Sequence, residues 1–123
     1  MYELHIETDF AAAHNLRGYE GRCEKLHGHN YRVEVVVGGE ELDGVGMLAD
    51  FKELKSICED VVSRLDHAYL NETPPFDRVN PTAENIAAHI CSGMQGELPE
   101  GLRMVSVTCW ESEKCAARYL PQC

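Results

Sequence analysis

Three of the six histidines in this chain, His14, His27 and His29, lie within sixteen positions of one another. His27 and His29 are two residues apart, just before a run typical of a β-strand, so both imidazoles can point to the same side of the chain. Three neutral imidazoles and one open position are the ligand set of catalytic zinc, whereas structural zinc usually has four protein ligands. A bare His-x-His pair is also compatible with two surface histidines, but the third histidine favours a zinc site.

Cys23 lies four residues before His27, among polar, charged and glycine neighbours. Reactive thiolates tend to occur in such surroundings, so Cys23 is a candidate nucleophile or base beside the metal. Cys58, Cys91 and Cys109 lie in periodic apolar segments, where a free cysteine behaves as a small buried hydrophobic residue. This scattered distribution favours a reducing cytoplasm over a disulfide framework.

Further candidates for chemistry lie where the predicted elements begin and end. Asp66 and His67 are adjacent near a predicted helix end; the carboxylate can orient the imidazole for acid–base work, although a histidine there also simply suits the helix dipole. Glu111 ends an apolar strand, and it is either a solvated strand end or an acceptor for the guanidine-like edge of a pterin or guanine. Thr82 and Glu84 suit the N-cap and first turn of a helix.

The charge of the chain restricts its partners. There are 21 acidic and 11 basic residues, a formal net charge of −10, which argues against nucleic acid and against an anionic membrane surface. No apolar run approaches the roughly 18 residues of a membrane span, and the N-terminus lacks the profile of a signal peptide. We therefore expect a cytoplasmic protein that forms one domain over residues 1–123.

The hydrophobic periodicity predicts a β-β-α-α-β-β order. Alternation predicts strands over 3–10, 31–37, 104–110 and 115–120, with a functional loop over 11–30. Asp50, with Glu53 three residues on, is expected to cap a helix that ends near residues 66–67. Thr82 is expected to cap a second helix, which ends at Gly96. This is an α+β layout with an antiparallel sheet and helices on one face.

Six short blocks of residues between positions 10 and 112 occur together and in a specific order. They are Phe10-Ala-Ala-Ala-His14, Cys23-x-x-x-His27-Gly-His29-Asn-Tyr31, Asp50-Phe51, Leu65-Asp66-His67-x-x-Leu70-Asn71, Asn80-Pro81-Thr82-Ala-Glu84-Asn85 and Trp110-Glu111-Ser112. With these blocks the chain resembles the 6-pyruvoyl-tetrahydropterin synthase / 6-carboxytetrahydropterin synthase family. The resemblance implies a tunnelling fold (T-fold), whose subunits close into a barrel, and zinc on the three histidines.

The resemblance also implies roles for the remaining candidates. Cys23 is then the catalytic base, the Asp66-His67 pair is the second acid–base element, and Glu111 binds the pterin, with Thr82 and Glu84 as further substrate-binding candidates. A homo-oligomer, either a trimer or a hexamer of two stacked trimers, is expected to form the active site at a subunit interface.

The spacing of Cys23 and His27 separates branches of this family. Three intervening residues resemble the bacterial 6-carboxytetrahydropterin synthases of the queuosine pathway. These lyases convert 7,8-dihydroneopterin triphosphate to 6-carboxytetrahydropterin, acetaldehyde and triphosphate. Pyruvoyl-forming enzymes usually have a longer spacing, and a third branch, acting on dihydroneopterin, has a glutamate in or near the cysteine position. Glu24 does not occupy that position. A non-catalytic zinc- or pterin-binding T-fold protein is the remaining alternative, which Cys23, Asp66 and His67 disfavour.

Overall fold

The computed structural model describes residues 1–18 and 25–122. Cys23 lies outside the described residues. The described residues form five strands, two α-helices and one short 3-10 helix: β1 (Tyr2–His14), β2 (His27–Gly39), α1 (Phe51–Val62), β3 (Ala68–Tyr69), the 3-10 helix (Leu70–Glu72), α2 (Ala83–Gln95), β4 (Leu102–Trp110) and β5 (Ala116–Tyr119).

The strands form one sheet in the order β3-β1-β2-β4-β5. Neighbouring strands are antiparallel, except that β3 runs parallel to β1. Along β1 the even-numbered Ile6, Phe10 and Ala12 are buried, whereas the odd-numbered Glu7 and Asp9 are exposed. Successive side chains of a strand point to opposite faces, so this alternation gives the sheet one apolar face and one polar face.

The two α-helices cover the apolar face. Leu54 and Cys58 of α1, and Ile86 and Ile90 of α2, belong to the same buried cluster as Tyr31 of β2. The predicted α+β class, with a largely antiparallel sheet and both helices on one face, is confirmed. No helix in the described ranges is long and apolar enough to cross a membrane.

Both predicted helix caps are present. The Asp50 carboxylate accepts a hydrogen bond from the backbone N–H of Lys52 at 2.8 Å, and the Thr82 hydroxyl accepts one from the backbone N–H of Asn85 at 3.1 Å. These bonds satisfy N–H groups that have no partner within a helix. The second helix ends before Gly96, as predicted.

The structure corrects three predicted boundaries. The predicted loop over 11–30 is wrong at both ends, because β1 continues to His14 and β2 begins at His27. Hydrogen bonding between the two strands stabilises these residues as strand although their sequence does not alternate. The first helix ends at Val62, and residues 63–67 form turns with His67 at a positive φ of 57°. The two-residue strand β3 is too short to produce a periodic signal.

We predict that Asp50→Ala lowers the free energy of unfolding by about 1 kcal/mol, since it removes the side-chain acceptor at the start of α1. Asp60→Ala is the matched control, because Asp60 is an exposed residue in the body of the same helix. Urea titration should show a lower midpoint for Asp50→Ala with an unchanged slope, and little change for the control. Equal effects of the two substitutions would contradict the assignment of the cap.

Candidate metal and ligand site

The pairing of β1 with β2 brings the three histidines together. His14, the last residue of β1, lies directly opposite His27, the first residue of β2, and His29 lies opposite Ala12. Cross-strand partners point to the same face of a sheet, and this is the face on which Ala12 is buried. One ring nitrogen from each histidine lies within 4.8 Å of the others, so the predicted ligands form a group that could hold a metal ion.

Backbone carbonyls orient two of these imidazoles. The Nδ1 atom of His14 lies 2.7 Å from the Pro81 carbonyl oxygen, and that of His27 lies 2.7 Å from the Lys25 carbonyl oxygen. A carbonyl oxygen can only accept, so we assign the ring proton of each neutral histidine to Nδ1. The Nε2 atom of each ring is then left with a lone pair available for a metal. Carbonyl partners of this kind commonly orient metal-ligating histidines.

The two Nε2 atoms face each other at 3.0 Å. In these tautomers both carry lone pairs, so their close approach is repulsive unless a cation lies between them. Zinc binds histidine nitrogens at about 2.0 Å with tetrahedral geometry, which places two ligand nitrogens about 3.3 Å apart. The donor atoms present therefore fit a small divalent metal ion.

Burial keeps the imidazoles of His14 and His29 in the neutral form that binds metal. Burial lowers the pKa of His14, and the neighbouring His27 and His29 lower it further, while the Pro81 carbonyl and Glu111 act in the opposite direction. Burial likewise lowers the pKa of His29, against the opposing effect of Glu111. A metal-ligating histidine must be neutral, so the lowered pKa favours metal binding near neutral pH.

Tyr31 contacts His14 from within the buried core, a role that its position in a strand did not indicate. Its hydroxyl oxygen lies 3.1 Å from Nδ1 of His14, and its ring stacks on Phe10 with 4.8 Å between centroids. The side chain is completely buried, and burial raises the pKa of the phenol. Sequence reasoning also missed Pro81 and Lys25, because both act through backbone carbonyls and their side chains carry no signal.

Glu111, Thr82 and Glu84, the predicted substrate-binding residues, lie close together. They line a cavity of about 340 Å³ that Leu16 and Cys115 also border. Thr82 directly follows Pro81, whose carbonyl contacts His14, so this cavity lies beside the histidine group. The negative charge of Glu111 accordingly opposes the lowering of the pKa of both His14 and His29. The size suits a small ligand, and its acidic wall suits a ligand edge that presents N–H donors.

Asp66 and His67 contact each other, at 3.0 Å between Oδ1 and Nδ1. The same oxygen of Asp66 accepts the backbone N–H of Ala11, also at 3.0 Å, and this bond is the main cause that lowers the pKa of Asp66. The imidazole of His67 is 83% exposed. Both residues line an open cavity of about 450 Å³ with Ala11 and Asn30.

The structure therefore does not bring the Asp66–His67 pair into the cavity that Glu111 lines. Cys23, the remaining predicted catalytic residue, lies outside the described residues. Lys25, which follows that segment, is tied to the site because its carbonyl accepts the hydrogen bond from His27.

Comparisons with known proteins show which family the chain is similar to. The family model described as 6-pyruvoyl tetrahydropterin synthase matches residues 3–122. The 6-carboxy-5,6,7,8-tetrahydropterin synthase of Synechocystis is 38% identical over 97% of this chain and 93% of its own length. The dihydroneopterin monophosphate aldolase of Pyrococcus furiosus is 39% identical over 87% of each chain. The solved structure of 6-pyruvoyl tetrahydropterin synthase from Caenorhabditis elegans has a TM-score of 0.86 at 26% identity, over 98% of this chain and 96% of its own.

The fold and the site thus define a two-layer α+β domain that carries a histidine group where β1 ends and β2 begins. The chain belongs to the 6-pyruvoyl tetrahydropterin synthase family. The predicted family resemblance and the predicted tunnelling fold are both confirmed.

We predict that the purified protein binds one divalent metal ion per chain and that His27→Ala loses most of it. Removing one of three nitrogen ligands leaves a set too small to hold the ion firmly. His5→Ala is the control, since His5 is an exposed histidine on the polar face of β1. Metal content by mass spectrometry should fall for His27→Ala alone. Full metal content in that variant would contradict the ligand assignment.

Proposed function

We propose that this protein is a zinc-dependent 6-carboxy-5,6,7,8-tetrahydropterin synthase. It would convert 7,8-dihydroneopterin triphosphate and water to 6-carboxytetrahydropterin, acetaldehyde and triphosphate, as a lyase of queuosine biosynthesis. The observation that carries the proposal is the pair of opposed Nε2 atoms, 3.0 Å apart, beside the cavity that Glu111 lines, in a chain of this family. The three-residue interval between Cys23 and His27 favours the carboxy-forming branch.

In this proposal the cavity beside the histidines holds the pterin ring. The Glu111 carboxylate accepts hydrogen bonds from the amino and ring N–H groups of the guanidine-like edge, in the manner of a carboxylate facing a guanidinium fork. Glu84, which is exposed in the first turn of α2, and Thr82 border the same cavity. The Thr82 hydroxyl already caps α2, so its contribution to the ligand is to hold this wall of the cavity in place.

The substrate side chain would then extend toward His14, His27 and His29. A zinc ion held there supplies Lewis-acid polarisation of the side-chain hydroxyl groups and stabilises negative charge on oxygen. Cys23 acts as the base that removes a proton from a side-chain carbon. The Asp66–His67 pair is the second acid–base element, in which Asp66 orients the imidazole through the 3.0 Å contact between Oδ1 and Nδ1.

We further propose that the active site is completed by a neighbouring subunit in a trimer or a hexamer. Two observations support this. The Asp66–His67 pair and Glu111 line different cavities of one chain. Among the described residues, the outer edge of β1 is paired only at Ala12 and Ala13, with β3, and exposed strand edges are normally paired or covered. A second chain on this edge would bring its own residues to the exposed imidazole of His67.

A second candidate reaction is aldol cleavage of a dihydroneopterin phosphate. It is favoured by the 39% identity to the Pyrococcus furiosus protein named dihydroneopterin monophosphate aldolase. Both reactions break a carbon–carbon bond of the pterin side chain, so the same histidine group and the same acid–base residues serve either one. Formation of the 6-pyruvoyl product, by elimination of triphosphate alone, is the third outcome.

The products formed from 7,8-dihydroneopterin triphosphate separate these reactions. We expect acetaldehyde and triphosphate in equal amounts, together with 6-carboxytetrahydropterin, by mass spectrometry of the reaction mixture and derivatisation of the aldehyde. His27→Ala should form none of them, because it lacks a metal ligand. Triphosphate with a 6-pyruvoyl product and no acetaldehyde would assign the protein to the other branch. Turnover of dihydroneopterin monophosphate to 6-hydroxymethyl-7,8-dihydropterin and glycolaldehyde phosphate would instead assign it as an aldolase.

Mixing two inactive variants tests the shared active site. Cys23→Ala should lose nearly all turnover yet keep its metal, and His67→Ala should do the same, since neither residue is a proposed ligand. After subunit exchange, mixed oligomers contain some sites with both native residues if Cys23 and His67 come from different chains. We therefore expect activity to return on mixing. Absence of activity after proven subunit exchange would contradict the shared site.

A further inference from the structure

Two asparagine side chains hold the backbone that follows His14. The Asn71 amide forms a reciprocal pair with Asn15: the Asn15 N–H donates to Oδ1 at 2.9 Å, and Nδ2 donates to the Asn15 carbonyl at 2.8 Å. Asn80 forms the same pair with Arg17, with 3.0 Å from the Arg17 N–H to Oδ1 and 2.8 Å from Nδ2 to the Arg17 carbonyl. The two clamped residues are two positions apart.

The Asn71 and Asn80 side chains thus make the hydrogen bonds that the backbone of a neighbouring strand would otherwise make. A primary amide has one acceptor oxygen and N–H donors in one plane, as a peptide group does, so it can replace a strand partner. Residues 15–17 lie beyond the end of β1, where none of the strands in the described ranges supplies their backbone hydrogen bonds. Alternate residues of a β-strand present N–H and C=O groups to the same edge. Asn15 and Arg17 have this spacing, and a turn begins at Arg17.

The clamps are connected to the atoms that orient His14. Asn80 immediately precedes Pro81, whose carbonyl accepts the hydrogen bond from Nδ1 of His14. The Asn80 carbonyl itself accepts hydrogen bonds from the Thr82 N–H and from Nδ2 of Asn85, both at 2.9 Å, at the start of α2. One residue thus fixes both the backbone after His14 and the carbonyl that orients its ring.

Two more contacts tie the same segment to the same region of the chain. The Tyr69 hydroxyl donates to Oδ1 of Asn15 at 2.8 Å, and Nη2 of Arg17 donates to the Phe76 carbonyl at 2.7 Å. These bonds hold the segment up to Gly18, which has a positive φ of 76°.

We propose that Asn71 and Asn80 are positioning residues of the metal site, which together hold Nε2 of His14 in the place where it meets Nε2 of His27. This inference rests on the proposed function only in requiring that the three histidines bind a metal ion. Neither asparagine is within the histidine group itself. Their effect is on the geometry and affinity of the metal, and on turnover only through it.

The test is cobalt binding to metal-free Asn71→Asp and Asn80→Asp. Aspartate keeps the size of asparagine, but it replaces the amide donor with an oxygen that repels the Asn15 or Arg17 carbonyl. Loss of a group that orients a metal ligand typically weakens metal binding about 10–100-fold. We expect that loss in each variant, with altered visible absorption of the bound cobalt. Gln95→Glu is the matched control, since it makes the same amide-to-acid change at an exposed position at the far end of α2.

Thermal unfolding of the metal-free proteins separates positioning from general stability. We expect the Asn71 and Asn80 variants to unfold within a few degrees of Gln95→Glu. Wild-type cobalt affinity and spectrum in both folded variants would overturn the proposal, and so would global unfolding of both without metal. If only Asn80→Asp fails to fold, Asn71→Asp decides, because the Asn80 carbonyl accepts hydrogen bonds at the start of α2, whereas the Asn71 amide pairs with Asn15. Failure of the wild-type protein to bind cobalt would overturn the proposed function instead.

Discussion

The register between β1 and β2 is the constraint on which the site depends. His14 and His27 become neighbours only because the end of one strand is paired with the start of the next, and His29 joins them because it lies two residues along on the same face. A shift of one residue would move every side chain of a strand to the other face of the sheet. The apolar residues of the same strands, such as Phe10 and Val33, oppose such a shift, because it would expose them to water. The core therefore maintains the geometry of the histidine group.

Burying polar rings at the edge of an apolar core requires partners for each ring. His14 is 1% exposed, and its ring meets the Pro81 carbonyl on one side and the ring of His27 on the other. Every buried side-chain nitrogen or oxygen among the described residues has a polar neighbour, and for Nε2 of His14 that neighbour is Nε2 of His27. In the assigned tautomers both Nε2 atoms carry a lone pair, so two neutral rings cannot form a hydrogen bond with each other at this contact. A cation between the two atoms would bind both lone pairs at once, so the proposed metal would also stabilise this buried contact.

The position of the remaining site residues follows from the ends of the elements. Glu111 follows β4, Thr82 precedes α2, and Asp66 and His67 lie in the turns after α1. Regular elements thus hold the histidines and the core, while their ends supply the carboxylates, the hydroxyl and the second imidazole. Within one chain, Glu111 and the Asp66–His67 pair line different cavities, and the outer edge of β1 is paired only at Ala12 and Ala13 among the described residues. The proposed association of chains rests on these two observations.

The sequence by itself determined the α+β class, the helix caps at Asp50 and Thr82, the three histidines as a group and the family. These depend on local chemistry: capping needs a short polar side chain, a half-buried strand needs alternation, and metal binding needs particular residue types at particular spacings. The tertiary structure decided that residues 11–14 and 27–30 are strand, because their hydrogen bonds come from residues distant in sequence. It also decided the tautomers of His14 and His27, since the carbonyls of Pro81 and Lys25 are backbone groups that every sequence contains. Only their placement in space, which packing of the whole chain fixes, gives those common groups a specific role.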